Sequence, residues 1–86
     1  MRKIALITGA TSGIGKACAI KFAQNNYDII ITGRRKERLE DLEKELRVFG
    51  ADVLSLNFDV RNNQEVEQYL GNLSGKWQDI DLLINT

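Results

Sequence analysis

Apolar and polar residues fall along this chain in two alternating patterns. Short apolar runs, Ile4-Ala5-Leu6-Ile7 and Ile29-Ile30-Ile31, read as strands covered on both faces. They predict a first strand over residues 3–7 and a second, β-branched throughout, over 29–32. Between them Ile14, Ala17, Cys18 and Phe22 recur at helical spacing and predict a helix over about residues 13–25. Gly13 and Ala17 would let that helix lie close to the sheet, and Asn25-Asn26 ends it. A second helix is predicted over residues 36–49, with Leu39, Leu42, Leu46 and Phe49 on one face and Gly50 as its C-terminal cap. Glu40 with Lys44, and Glu43 with Arg47, are spaced to pair across a turn, so the charge on this helix reads as a solvated face.

Residues 53–58 differ. Leu54, Leu56 and Phe58 alternate with Ser55 and Asn57, the pattern of a strand near a sheet edge. Asn62, with Glu65 three residues on, is a helix start. Val66, Tyr69, Leu70 and Leu73 supply the apolar face of that third helix, Gly71 weakens it, and Ser74-Gly75 ends it. Trp77 is placed to cover the following loop, and residues 80–85 form a fourth strand. Strand cores recur about every 25 residues, the rhythm of β-α-β units. Right-handed crossovers then give an α/β fold, a doubly wound parallel sheet of β-α-β-α-β-α-β connectivity with helices on both faces. The half-polar third strand belongs at one edge, which gives the strand order 3-2-1-4 and puts the ligand crevice at the carboxyl ends of strands one and four.

The first strand runs into Thr8-Gly9-Ala10-Thr11-Ser12-Gly13-Ile14-Gly15. Glycines between a buried strand and a helix allow backbone angles barred to other residues and let a ligand touch the main chain. The helix start adds unpaired N–H groups and a positive dipole end, which suit a phosphate. Thr11 and Ser12 could add hydroxyls, though both are equally ordinary turn residues. The spacing is G-x-x-x-G-x-G, not the G-x-G-x-x-G of the common dinucleotide fingerprint. NAD sites usually place a carboxylate about 20 residues beyond the glycines, on the ribose 2′-OH. Here Gly33-Arg34-Arg35 stands there instead. A carboxylate would repel a 2′-phosphate, whereas a guanidinium can grip it with two hydrogen bonds.

The motif T-G-x-x-x-G-I-G after an N-terminal strand resembles the cofactor motif of the short-chain dehydrogenase/reductase family, with Gly9, Gly13, Ile14 and Gly15 at its fixed positions. The resemblance spans essentially the whole chain and implies a Rossmann-like fold shortened to its first half. By similarity to the NADP-type members, Arg34 would hold the 2′-phosphate, with Arg35 beside it or stacked on the adenine; otherwise Arg35 simply begins a charged helix. Asp59-Val60 resembles the family's Asp-Val pair, whose aspartate accepts from the adenine amino group; on chemistry alone Asp59 is also an ordinary turn residue. Asn85 matches the first asparagine of the family's strand-four motif, while Thr86 departs from the second. The family's tyrosine, its lysine four residues on and its upstream serine have no counterpart: Tyr27 is followed at that spacing by Ile31, and Tyr69 by Leu73.

The chain contains no histidine, and no ligand set for a catalytic metal is legible. Its 12 basic and 12 acidic residues cancel, which gives no general attraction to nucleic acid or an anionic membrane. One cysteine, Cys18, cannot form an internal disulfide, as expected of a chain in the reducing cytoplasm. The N-terminus does not read as a signal peptide, and no apolar run reaches the roughly 20 residues of a membrane span. The expectation is an NADP(H)-binding half-domain over residues 1–86, part of an oxidoreductase that moves a hydride between NADPH and a carbonyl or alcohol. The alternatives are a non-catalytic nucleotide-binding module and a half-fold scaffold. The fourth strand, guarded only by Asp79 and Asp81, is expected to mediate self-association.

Overall fold

The computed structural model of the chain describes residues 2–86. Four parallel strands form one sheet: β1 (Lys3–Thr8), β2 (Tyr27–Gly33), β3 (Val53–Asn57) and β4 (Leu82–Asn85), in the order β3-β2-β1-β4. Helices α1 (Gly13–Gln24), α2 (Lys36–Arg47) and α3 (Asn63–Leu70) make the crossovers, and a 3₁₀ turn over Gly75–Gln78 leads into β4. Order, direction and connectivity are those the hydrophobic pattern implies.

The two central strands carry the core. Ile7, Ile29, Ile30 and Ile31 are fully buried, each contributing about 1.5–3 kcal/mol of transfer free energy. Ile29 and Ile31 face α1 and α2, whose Ala19, Ala23, Leu39, Leu42 and Leu46 complete a dense layer. Ile4, Leu6 and Ile30 face the other way, under the half-buried Leu70, Leu73, Trp77 and Ile80. Trp77 therefore covers a sheet face rather than a loop. That second layer is thin, and no residue of α3 is fully buried. Among the described residues no helix is long and apolar enough to cross a membrane.

The packing face of α1 is not the one expected. Gly15, Ala19 and Ala23 are its buried residues; Cys18 and Phe22 are half-buried, and Ile14 and Ala17 are exposed. Small side chains at i, i+4 and i+8 let the helix axis approach the sheet, so the larger residues are pushed to its flanks. A Cβ on Gly15 would lie 2.3 Å from the Gly9 carbonyl oxygen, whereas one on Gly13 would meet nothing within 4 Å. The close contact thus belongs to Gly15 and not to Gly13.

Other boundaries shift for local reasons. β2 begins at Tyr27, before the apolar run, because Asp28 finds partners that let it be buried. α2 ends at Arg47; a tightened turn follows, with the Val48, Phe49 and Gly50 N–H groups bonding three residues back and Gly50 at φ +83°. Phe49 is rotated off the core face and is 40% exposed. Asn62 caps α3 as expected, its Oδ1 accepting from the Gln64 and Glu65 N–H groups. The helix stops at Leu70 with Gly71 as its C-cap, which leaves Leu73 beyond it. β4 starts at Leu82, two residues late, because Asp81 bonds both ways with Ile4: its N–H donates to the Ile4 carbonyl and its carboxylate accepts from the Ile4 N–H. Of the two helical ion pairs, Glu43–Arg47 forms at 3.1 Å, and Glu43 also accepts from Ser55.

At the amino ends of the strands a charged clasp closes the sheet. Asp28, 4% exposed, pairs with Arg2 at 2.8 Å and with Lys76 at 3.0 Å, and accepts from the Asp52 N–H at 2.9 Å. Lys76 also bonds Asp52. Burial pushes the Asp28 carboxyl up, but the Asp52 N–H, Lys76 and Arg2 outweigh it and hold it below the usual carboxylate range. Asp52 and Asp28 together raise Lys76.

Two outcomes follow for folding. Gly15→Ala should cost more than about 2 kcal/mol in a denaturant melt, because backbone must move, while Gly13→Ala should be neutral or stabilising by up to about 1 kcal/mol. Equal effects at the two glycines would contradict the packing described. Asp28, lowered in the folded state, stabilises fully above the unfolded carboxylate pKa of about 3.9, and that stability is lost as pH falls through the folded value. Asp28→Asn should cost about 1–3 kcal/mol at pH 7 and flatten the acid limb of the stability curve; unchanged acid sensitivity would discount the clasp.

Candidate functional site

The carboxyl ends of the strands open into a cleft of about 400 Å³. One wall is the turn from β1 into α1. Gly9 sits at φ +61°, and its carbonyl accepts from the Ser12 N–H at 3.1 Å and from the Ser12 hydroxyl at 2.9 Å. That hydroxyl caps α1 by accepting from the Gly15 N–H at 3.1 Å. Ser12 is thus engaged within the turn on both its donor and its acceptor side. The Gly13 and Ile14 N–H groups have no protein partner among the described residues, and the space above Gly13 is open. The first turn of α1 can therefore offer an anion two amides, a positive dipole end and room to approach.

The second wall is the corner between β2 and α2. The Ala10 N–H donates to the Thr32 carbonyl at 3.0 Å and ties the two walls together. Gly33 leaves room for the Thr11 methyl group, which would lie 3.2 Å from a Cβ there. Arg34 and Arg35 follow, both exposed, and Arg38 joins them from the first turn of α2. These three arginines form no ion pair among the described residues.

The third wall follows β3. Phe58 is buried and stacks on Tyr69, the rings 4.8 Å apart and 5° from parallel. Asp59 and Val60 are half-buried beside it. Arg61 grips the Asp59 carboxylate with its guanidinium at 3.0–3.3 Å and with its N–H at 2.9 Å. These bonds, with a smaller contribution from the Arg34 charge, hold Asp59 down at about 2, so it stays ionised through the neutral range. On the floor the Thr32 hydroxyl is buried without a partner among the described residues. Asn85 accepts from the Thr8 hydroxyl at 2.7 Å at the end of β4, and Thr86 closes that side by donating to the Thr8 carbonyl.

Of the residues singled out from the sequence, Gly9, Thr11, Ser12, Arg34, Arg35, Asp59 and Val60 line this one cleft. Gly13 and the 74% exposed Ile14 follow Ser12 in the first turn of α1 and do not line it, Gly15 is buried beneath the turn, and Asn85 adjoins it through Thr8 and Thr86. Sequence reading missed Arg38 and Arg61. Arg38 was legible as a third arginine close in sequence to Arg34 and Arg35; Arg61 carried no periodic signal. The arrangement suits a diphosphate on α1, a further anionic group at the arginine corner and a planar ring between them and the Phe58-Val60 wall. Tyr27 and Tyr69 are both packed against aromatic rings, Tyr27 on Phe22 at 4.9 Å and Tyr69 on Phe58. A larger hollow of about 470 Å³ lies at the opposite end, around Arg2, Asp28, Asp52 and Lys76. Its main charges neutralise one another within the clasp, and parallel sheets bind ligands at the other end.

Relatives share both sequence and fold. The NADP-dependent 3-hydroxy acid dehydrogenase YdfG of Salmonella typhi is 45% identical over 82 residues, which is 95% of this chain and 32% of that protein. The closed form of serine dehydrogenase complexed with NADP+ superposes with a TM-score of 0.83 at 41% identity, over 93% of this chain and 31% of that one. NAD+-bound xylitol dehydrogenase gives a TM-score of 0.87 at 30% identity, over 94% of this chain and 31% of that one. The chain thus spans about a third of the length of the relatives it matches. The family model for short chain dehydrogenases matches residues 3–86. With the fold, the glycine turn and that match in agreement, the chain belongs to the short-chain dehydrogenase family.

Proposed function

We propose that residues 1–86 are the NADP(H)-binding half-domain of an oxidoreductase that transfers a hydride between NADPH and a carbonyl or alcohol. The observation that carries this is Arg34, in no ion pair among the described residues, at the end of β2, where a carboxylate would serve NAD. Fold likeness does not decide between the cofactors, because it extends to proteins named for NADP+ and for NAD+ alike. In this reading the Gly13 and Ile14 amides receive the pyrophosphate, with Thr11 beside them. Gly9 and Gly15 shape the turn, and Ser12 fixes the helix start. Arg34 takes the 2′-phosphate, with Arg35 beside it or stacked on the adenine. Asp59, Val60 and Asn85 border the adenosine. When bound, the nicotinamide supplies the hydride. The chain's own residues bind and orient the cofactor; they include no serine, tyrosine and lysine set for proton transfer, so these 86 residues are inactive on their own. A non-catalytic nucleotide-binding module remains the second reading, since the same cleft would serve it. The lone, half-buried Cys18 favours a reducing compartment, and we assign the chain to the cytoplasm.

Titration with NADP+ and NAD+ tests the cofactor assignment. NADP+ should bind more tightly, and Arg34→Ala should remove about 1.5–3 kcal/mol of that preference while leaving the fold intact. Between pH 5 and 7 no histidine titrates and Asp59 stays ionised. The NADP+ affinity should therefore rise with pH as the 2′-phosphate loses its second proton near about pH 6, and the NAD+ affinity should stay flat. Equal affinity for the two cofactors would refute the assignment.

The free edge of β4 supports a proposal of self-association. Among the described residues β4 pairs with β1 alone, and Leu83 is 59% exposed along it. Unpaired N–H and C=O groups on such an edge accept another strand. Sedimentation should show concentration-dependent dimers, weakened by Leu83→Lys. A monomer at millimolar concentration would rule this out.

A further inference from the structure

The corner where β2 meets α2 carries more positive charge than a single phosphate-binding arginine requires. Arg34 and Arg35 stand before α2, and Arg38 occupies its first turn. All three line the main cleft. Arg38 alone of the three also lines a separate hollow of about 250 Å³ between α1 and α2, together with Thr11, Lys16, Asp41 and Leu42. Thr11 and Arg38 are thus the common wall of cleft and hollow. Helical side chains tend to lean towards the amino end, and Arg38, in the first turn of α2, lines the same cleft as Gly33 and Arg34. The carboxylates around it are not paired with it: Asp41 makes no ion pair among the described residues, and Glu45 is held by Lys16 at 3.5 Å. The α2 N-cap, Arg35, offers no side-chain bond to the first turn, which leaves amides open at the same corner.

A 2′-phosphate carries close to two negative charges and three acceptor oxygens at neutral pH. One guanidinium can serve two of those oxygens; the third needs a donor from another direction. We propose that Arg38 supplies it, as the second arm of a grip whose first arm is Arg34. Arg38 is then a specificity-determining residue for the 2′-phosphate, and Arg35 is left to the adenosine face. This inference rests on the NADP(H) reading above.

Adenosine 2′,5′-bisphosphate and adenosine 5′-monophosphate differ only in the 2′-phosphate and serve as probes in calorimetric titrations of the whole chain. Arg38→Ala should weaken the bisphosphate by about tenfold to a hundredfold and change the monophosphate by less than about twofold. Arg38→Lys should recover part of the loss, because the charge returns without the fork. Arg35→Ala should weaken both probes alike. Arg38 is exposed, so circular dichroism should show the variants folded. If the unmodified chain binds the two probes equally, or neither, the NADP(H) reading fails and this inference with it. If the unmodified chain prefers the bisphosphate and Arg38→Ala changes nothing, or weakens both probes equally, Arg38 has no such role and the NADP(H) reading stands.

Discussion

The structure depends on one approach of backbone to backbone. Gly15 lies so near the Gly9 carbonyl that no side chain fits between them. That contact seats α1 on the sheet through Ala19 and Ala23 and fixes where the helix begins. It also aims the first amides of α1 at the cleft. Ser12 completes the device by bonding to Gly9 on one side and to Gly15 on the other. A larger residue at position 15 would displace the helix and the open amides of its first turn together, so stability and the shape of the cleft share one constraint.

The two ends of the sheet treat charge in opposite ways. At the amino ends Asp28 is buried, and Arg2, Lys76 and the Asp52 N–H satisfy it. At the carboxyl ends three arginines form no ion pair among the described residues, and the half-buried Asp59 is answered by Arg61. The closed clasp holds the strands together, whereas the open corner keeps positive charge available. Positive charge that no fold contact consumes, next to unbonded helix amides, is what distinguishes a binding cleft from a mere gap between loops.

Much of this was legible in the sequence, for identifiable reasons. The isoleucine run of β2 and the alternation of Leu54, Ser55, Leu56 and Asn57 directly report central and edge positions, and the strand order follows from them. The Asn62 cap and the glycine turn are local chemistry with local signals. The face of α1 differs from the one the pattern suggests: Ile14 reads as core and Gly13 and Ala17 as the points of close approach, but close packing falls on Gly15, Ala19 and Ala23. The ends of α2 and β4 shifted because turn bonds and the Asp81–Ile4 pairing, which no periodicity encodes, decided them. Arg61 escaped for the same reason, its place being set by a bond to a residue two positions away.

The bond between Ile4 and Asp81 joins residues 77 apart in sequence, while β1, α1 and β2 make their contacts within the first part of the chain. Closing the long loop is entropically later work than zipping neighbours. The glycine turn and the arginine corner can therefore be assembled while β4 is still searching for its place. During synthesis the walls built on the glycine turn and the arginine corner would exist before the side formed by Asn85 and Thr86, and the last strand would dock on a sheet whose centre is already in place.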